Sequence, residues 1–321
     1  MTVHDTITLA PGDSITIQAQ TSDVPIEPPT EPPTEPPSGL PLQGFSIDSQ
    51  FKNLSPSDQQ FVLNSMKDLS NGHSSWSRVD WWPATPGSDQ AIQDNKNAGF
   101  VVMGLWNLPY NKREDQALYA QHAAQLAGIV DLVNVHNEPD MSGWPAATAA
   151  QYALASYKAI KAANSKCVVC GPSLWKTSTQ KVKDGYDYAK AMLAATNGER
   201  FYDLWDEHLY DDPNLVDPSW NKWDWVFRNN GTNVRALLDS YPNWKGTPII
   251  ATEAGGNADR DGDAYQNDCV AHGMDARASL GLASFGVYTI LNIGVSAPGF
   301  GLFNNNRNKR AAYESFKSRS R

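Results

Sequence analysis

From residue 42 onward, short runs of β-branched and aromatic residues alternate with longer stretches whose apolar positions recur every three or four residues. The first pattern is that of a buried strand, the second that of an amphipathic helix. Strand-like runs fall at 42–48, 74–82, 100–106, 132–136, 167–171, 202–210, 247–253 and 282–291. The first helical stretch opens at Ser55-Pro56, an N-cap followed by a proline at the first helical position, and carries a stripe of Phe61, Leu63, Met66 and Leu69. The longest covers 145–165, with Tyr152, Ala155, Tyr157, Ala159 and Ile160 predicted on its buried side. Further helices are predicted at 88–98, 113–127, 184–197, 231–240, 262–280 and 307–319.

Eight strands, each followed by a helix, within about 280 residues predict an α/β fold, a (β/α)8 TIM barrel. A doubly wound open sheet is the alternative. It would need a glycine-rich phosphate turn after an early strand, and the sequence has none.

The residues ahead of this region follow a different pattern. TITLAPGDSITIQAQ alternates polar and apolar positions around a Pro-Gly-Asp turn and predicts a β-hairpin. EPPTEPPTEPP at 27–37 predicts an extended polyproline-type spacer. The expected organisation is a β-hairpin stub at 1–24, a Pro/Thr/Glu linker at 25–41 and the barrel at 42–321. So short a stub cannot bury a core by itself. An anchoring or self-association role is expected for it, such as docking on a larger assembly.

Composition narrows the class of partner. A formal charge of −9 and the lack of a basic stripe argue against nucleic acid or an anionic membrane surface. The basic residues Arg307, Lys309, Arg310, Lys317, Arg319 and Arg321 are expected on a solvated helix face. No apolar run reaches the length of a membrane span, and no secretory leader precedes residue 42, so no membrane insertion is expected. The expected location is extracellular or particle-associated, as on a phage virion or cell-surface complex, with a cytoplasmic one as the alternative. Cys167 and Cys170 lie three apart on one strand and so face opposite ways; with Cys269 they are expected to be buried thiols, not a disulfide staple.

Candidate chemistry lies where the strands end, because a barrel's site forms at the C-terminal ends of its strands. The second strand carries Arg78. The third runs into Trp106, the fourth ends in Asn137-Glu138-Pro139, the sixth in His208-Leu209-Tyr210, and the seventh in Glu253. Strands four and seven face each other across a barrel mouth, so Glu138 and Glu253 form a predicted carboxylate pair. Two carboxylates across a cleft suit glycoside hydrolysis: one protonates the leaving oxygen, the other attacks the anomeric carbon or activates water. Arg78 and Tyr210 can keep a nucleophilic carboxylate ionised. The chain is rich in aromatics, with 11 Trp and 12 Tyr. Trp106 and Trp144 are candidate platforms on which sugar rings would stack, with plain packing in the core as the other reading.

With these residues in place, the region 42–321 resembles the clan A glycoside hydrolases, retaining (β/α)8 enzymes of cellulase-like and xylosidase-like families. The resemblance implies an acid/base role for Glu138, a sugar contact for Asn137 and a nucleophilic role for Glu253. It implies substrate contacts for His208 and Tyr210 after the sixth strand, and a place for Arg78 beside the nucleophile. The segment 301–317, GLFNNNRNKRAAYESFK, is similar to the clan's closing turn and helix. Many members carry a tryptophan on the eighth strand; none lies between 282 and 303 here, and Tyr288, Phe285 or Phe300 could substitute.

The expected function is retaining hydrolysis of a polysaccharide, by endo cleavage. A non-catalytic carbohydrate-binding barrel, or a particle-anchored glycan-recognition protein, is the alternative. No cofactor is expected, and no metal. The segment NADRDGDAYQND at 257–268 has acidic residues at calcium-loop spacing, but Asn stands at its first position and Asp at its twelfth. An acidic helix start is the preferred reading there, with Asp259 and Asp261 lining a substrate cleft as a further possibility.

Overall fold

A computed structural model describes residues 39–47, 51–175, 182–210, 226, 233–292 and 298–321. The chain divides into two units, Met1–Thr30 and Glu31–Arg321. The predicted hairpin, and the linker up to residue 38, lie outside the described residues.

Eight parallel strands close a barrel: β1 (Gln43–Ser46), β2 (Trp76–Asp80), β3 (Val101–Trp106), β4 (Leu132–Val135), β5 (Val168–Leu174), β6 (Leu204–Glu207), β8 (Ile249–Ala251) and β10 (Leu282–Tyr288). A small parallel pair, β7 (Leu209–Tyr210) with β9 (Ala254–Gly255), joins the ends of β6 and β8. Among the described residues the helices between strands are α1 (Pro56–Ser70), α2 (Ser88–Asn97), α3 (Gln116–Ala127), α4 (Ala146–Ala163), α5 (Val182–Ala195), α6 (Val234–Asp239), α7 (Ala258–Asp261) and α8 (Asp263–Leu280), and α9 (Ala311–Arg319) follows the last strand. Every predicted strand overlaps an observed one, and the barrel replaces the open-sheet alternative. No helix among the described residues is long and apolar enough to cross a membrane.

Local rules account for the element ends. The Ser55 hydroxyl accepts the Asp58 N–H, and Pro56 occupies the first turn of α1, where its missing donor costs nothing. Leu63, Met66 and Leu69 bury the expected stripe. The longest helix departs from expectation: α4 packs through Ala149, Ala150, Ala153, Leu154, Ser156 and Ile160, while Tyr152 and Tyr157 sit only half-buried. Small residues let the helix axis approach its neighbours, and the tyrosines pack at the margin of the core, Tyr152 edge-on to Tyr119 and Trp144. The Tyr152 and Tyr157 hydroxyls bond the Glu114 carbonyl and the Asp203 carboxylate.

The barrel interior is layered. Trp76, Met103, Leu132, Cys170, Leu204 and Ile250 form an apolar plug, separate from the larger core between strands and helices. Trp76 lies across Gly44 and Gly286, where an added Cβ would stand 1.9 Å and 2.2 Å from its indole. Burying a side chain of this size removes about 150–250 Å2 from water, worth roughly 4–6 kcal/mol before entropy. Two positions further along the same strand faces the lining turns polar: Arg78, Asn134, Asp206 and Thr252, all buried. The glutamates stand above this layer. The cysteines are buried and free, as expected.

The basic tail is only partly the predicted solvated face. Arg310 is buried and bridges Asp259 and Asp263. Its position just before α9 turns it inward, toward the acidic start of α8.

Candidate active site

The end of β4 is contorted. After Val135 the backbone enters the left-handed region at His136 (φ 69°) and again at Glu138 (φ 49°). Each such residue costs about 1–3 kcal/mol unless its surroundings enforce it. The surroundings here are explicit. His136 N–H donates to the Trp106 carbonyl (3.1 Å), Asn137 N–H to Asn107 Oδ1 (3.1 Å) and Glu138 N–H to the Ser173 carbonyl (3.1 Å). The Glu138 carbonyl then accepts from Met141 and Ser142, which closes the following turn.

This backbone brings Glu138 and Glu253 together. A carboxylate oxygen of each, and a ring nitrogen of His208, all lie within 4.8 Å of one another. His208 Nδ1 is 2.8 Å from Glu138 Oε1 and 3.5 Å from Glu253 Oε2. Tyr210 donates its hydroxyl to Glu253 Oε2 at 2.6 Å, and Arg78 Nη2 pairs with Glu253 Oε1. The other Arg78 donors reach Ser46 Oγ (3.0 Å), Asn134 Oδ1 (3.1 Å), Asn137 Oδ1 (3.1 Å) and Thr252 Oγ1 (3.2 Å). Glu253 is thus a buried carboxylate held by a guanidinium and a phenol, with 8% of its side chain exposed, while Glu138 keeps 25%. A shielded carboxylate facing a more open one, bridged by an imidazole, is an arrangement for moving a proton beside a nucleophile.

The same three side chains could gather around a small cation. Arg78 already supplies positive charge to Glu253, however, and Tyr210 takes its second oxygen. A dication would be held against the guanidinium, so this donor set fits acid–base chemistry better than metal binding.

Six of the eight predicted site residues meet here: Glu138, Glu253, Asn137, Arg78, His208 and Tyr210. His208 is fully buried beneath the glutamates, with Nδ1 facing both carboxylates. Trp106 and Trp144 do not fit the platform role, being 1% and 3% exposed. The Trp106 indole donates to the Tyr119 carbonyl and the Trp144 indole to the Leu108 carbonyl; Trp106 packs edge-on to Trp81 and His122, and Trp144 edge-on to Tyr119. Trp106 falls on the helix-facing side of β3. Trp82 and Trp175, after β2 and β5, are half-buried. On the eighth strand, Phe285 points away into α8 against Gly273, whereas Tyr288 and Phe300 pack against Tyr210 at 6.3 Å and 5.2 Å.

The segment 257–268 is helical, not a calcium loop. Asn257 caps α7 by accepting the Arg260 N–H, Asp261 pairs with Arg260, and Asp259 and Asp263 pair with Arg310. Asp259 also accepts from Asn292 at 3.3 Å.

A polar layer that the strand-end pattern does not reveal lies below the glutamates. Asn134, Ser173, Asp206 and Thr252 are buried, and they bond to one another. The signal was available as a polar residue inside a buried run, in LVNV and in LWDE. His136 was also passed over. Its ring is fully buried, stacked on Tyr119 at 5.4 Å and edge-on to Trp144 at 4.9 Å, and neither nitrogen has a hydrogen-bond partner among the described residues. Burial lowers its pKa from 6.5 to about 3.

Fold and site together define an α/β barrel with facing glutamates over an arginine. Solved structures with this fold include a family 39 glycoside hydrolase from Bacteroides cellulosilyticus, at 15% identity and TM-score 0.62, with 88% of this chain and 64% of that chain covered. A glucosidase from Croceicoccus marinus aligns at 15% identity and TM-score 0.64, covering 89% and 69%. Xylanase 10B from Thermotoga petrophila, solved with xylobiose, aligns at 13% identity and TM-score 0.58, covering 87% and 94%. The chain therefore spans less than two thirds of the family 39 enzyme and nearly all of the xylanase. At these identities the likeness shows a shared barrel fold. No family model matches the sequence, and no curated protein matches it.

Proposed function

We propose that this chain is a glycoside hydrolase that cleaves O-glycosidic bonds of a polysaccharide with retention of configuration. The observation that carries this reading is the carboxylate spacing, an oxygen of Glu138 within 4.8 Å of one of Glu253. Retaining enzymes hold their two carboxyl groups about 5–5.5 Å apart, whereas inverting ones need about 6.5–9.5 Å to admit a water. Glu253 is the nucleophile, because Arg78 and Tyr210 stabilise its ionised form and fix its direction of attack. Glu138, the more exposed of the two, protonates the leaving oxygen and then activates water to release the covalent glycosyl-enzyme. His208 lies at hydrogen-bonding distance from Glu138 and holds its direction. Asn137, oriented by Arg78, contacts the sugar next to the cleaved bond. Solved enzymes of this fold that act on sugars support the reading.

The test is a panel of plant, fungal and bacterial wall polysaccharides, with the anomer of the first product read by proton NMR. Retention is expected, with a ladder of oligosaccharides marking endo action. Glu138→Gln and Glu253→Gln should each lower kcat by about 10²-fold or more. A wild-type chain that releases no sugar from any of them, or a first product of inverted configuration, refutes the corresponding part.

A further inference from the structure

Beneath the glutamates lies a carboxylate that the proposed chemistry does not use. Asp206, in β6, is fully buried. Its Oδ1 accepts the Thr252 backbone N–H at 2.9 Å, and its Oδ2 accepts the Thr252 hydroxyl at 2.6 Å. The Ser173 hydroxyl also donates to Oδ2, and Asn134 Nδ2 approaches it at 3.5 Å. These partners are not arbitrary. Thr252 immediately precedes Glu253. Ser173 offers the carbonyl that anchors the Glu138 N–H. One carboxylate therefore ties down the backbone beside both glutamates.

The local backbone shows why such a tie is needed. The β5–β6 register shifts between Pro172 and Leu174, which leaves Ser173 as the extra residue, turned toward Asp206. Ser173 (φ 57°) and Glu138 (φ 49°) both occupy the left-handed region, a conformation that persists only where neighbours over-determine it. In a dry interior, a carboxylate accepting several donors at once is a strong anchor.

We propose that Asp206 is the positioning residue that sets the spacing of Glu138 and Glu253, acting through Ser173 on one side and Thr252 on the other. The inference rests on the reading of these glutamates as the catalytic pair. An asparagine at this position would turn one acceptor oxygen into a donor facing donors, so the two strand ends would drift apart with the side chain's size preserved.

The experiment compares Asp206→Asn, Thr252→Val and Thr252→Ser with wild type on a polysaccharide that the wild type cleaves. A misplacement of about 1 Å costs on the order of 10²-fold, so Asp206→Asn and Thr252→Val should lose about that factor in kcat. KM should hold within about twofold, because only the reacting geometry changes. Thr252→Ser keeps the hydroxyl and should recover most of the rate. A crystal structure of Asp206→Asn should show a wider Glu138–Glu253 separation. Wild-type kcat in Asp206→Asn, or an unchanged separation, overturns the proposal. So does a loss shared equally by Thr252→Ser and tracking a fall in melting temperature, since Asp206 would then only stabilise the barrel. Should Asp206→Asn fail to fold, the two Thr252 variants decide. A wild type inactive on every glycan defeats the catalytic reading, while the measured separation still decides this one.

Discussion

Replacing His136 by phenylalanine should flatten the acid side of the protein's stability curve. The wild-type imidazole is fully buried among Tyr119 and Trp144, with no hydrogen-bond partner among the described residues. Burial holds its pKa at about 3, against 6.5 in the unfolded chain. The folded value lies below the unfolded one for a base, so folding excludes the proton. Stability is therefore complete above pH 6.5 and is lost as the pH falls from 6.5 toward 3. At pH 5 the chain is 1.5 units below the unfolded value, and at about 1.36 kcal/mol per unit the loss is about 2 kcal/mol. Near pH 3 it approaches about 5 kcal/mol, which is 3.5 units. Phenylalanine keeps a flat ring against Tyr119 and removes two unpaired nitrogens, but it tolerates the positive φ of this position less well than histidine, so near pH 7 the variant should lie within about 1 kcal/mol of wild type. The assay is urea unfolding of both proteins at pH 7, 6 and 5. The gap between them should widen in favour of the variant by about 2 kcal/mol from pH 7 to pH 5. Every other titrating group is shared and cancels in the difference. Parallel curves over that range would refute the reasoning, because they would mean that His136 is solvated or paired in the folded protein.

Other expectations follow from single contacts. Gly44→Ala would place a methyl 1.9 Å from the Trp76 indole at the barrel floor, so destabilisation of about 3 kcal/mol or more is expected from chemical unfolding, and a change under about 0.5 kcal/mol would contradict the packing described. Tyr210→Phe removes the 2.6 Å hydroxyl contact to Glu253 and should lower kcat about tenfold with little change in melting temperature; unchanged kcat would show that the contact is idle. Arg310→Met should cost about 1–2 kcal/mol, a modest figure because Asp259 and Asp263 remain about half exposed, and the loss should shrink in high salt.

The alternation of strand-like and helix-like runs makes the barrel legible in the sequence. Period and length are local properties, and eight repeats of one local unit leave few ways to close a sheet. The strand ends were legible for the same reason, which placed Glu138, Glu253 and Tyr210 at the mouth, while the resemblance to a known clan singled out Asn137 and His208 and set Arg78 beside Glu253. Side-chain direction was less accessible. Trp106 ends its strand as expected, yet it faces the helices, and Tyr152 lies half-buried at the margin of an alanine stripe. Arg310, read as solvated, turned inward to two aspartates.

What the sequence by itself determined is the order of elements and which residues stand at the mouth. Both are consequences of hydrophobic periodicity along a single chain. Only the tertiary structure decided the rest: the separation of Glu138 and Glu253, the burial of His208 between them, and the anchoring of both strand ends on Asp206. Those facts depend on the closure of the barrel, which brings Arg78 to Glu253, His208 to both glutamates and Asp206 to Thr252 and Ser173 across many residues of intervening chain. No local pattern encodes such a distance, because strand tilt, register shifts and packing against the apolar plug set it jointly.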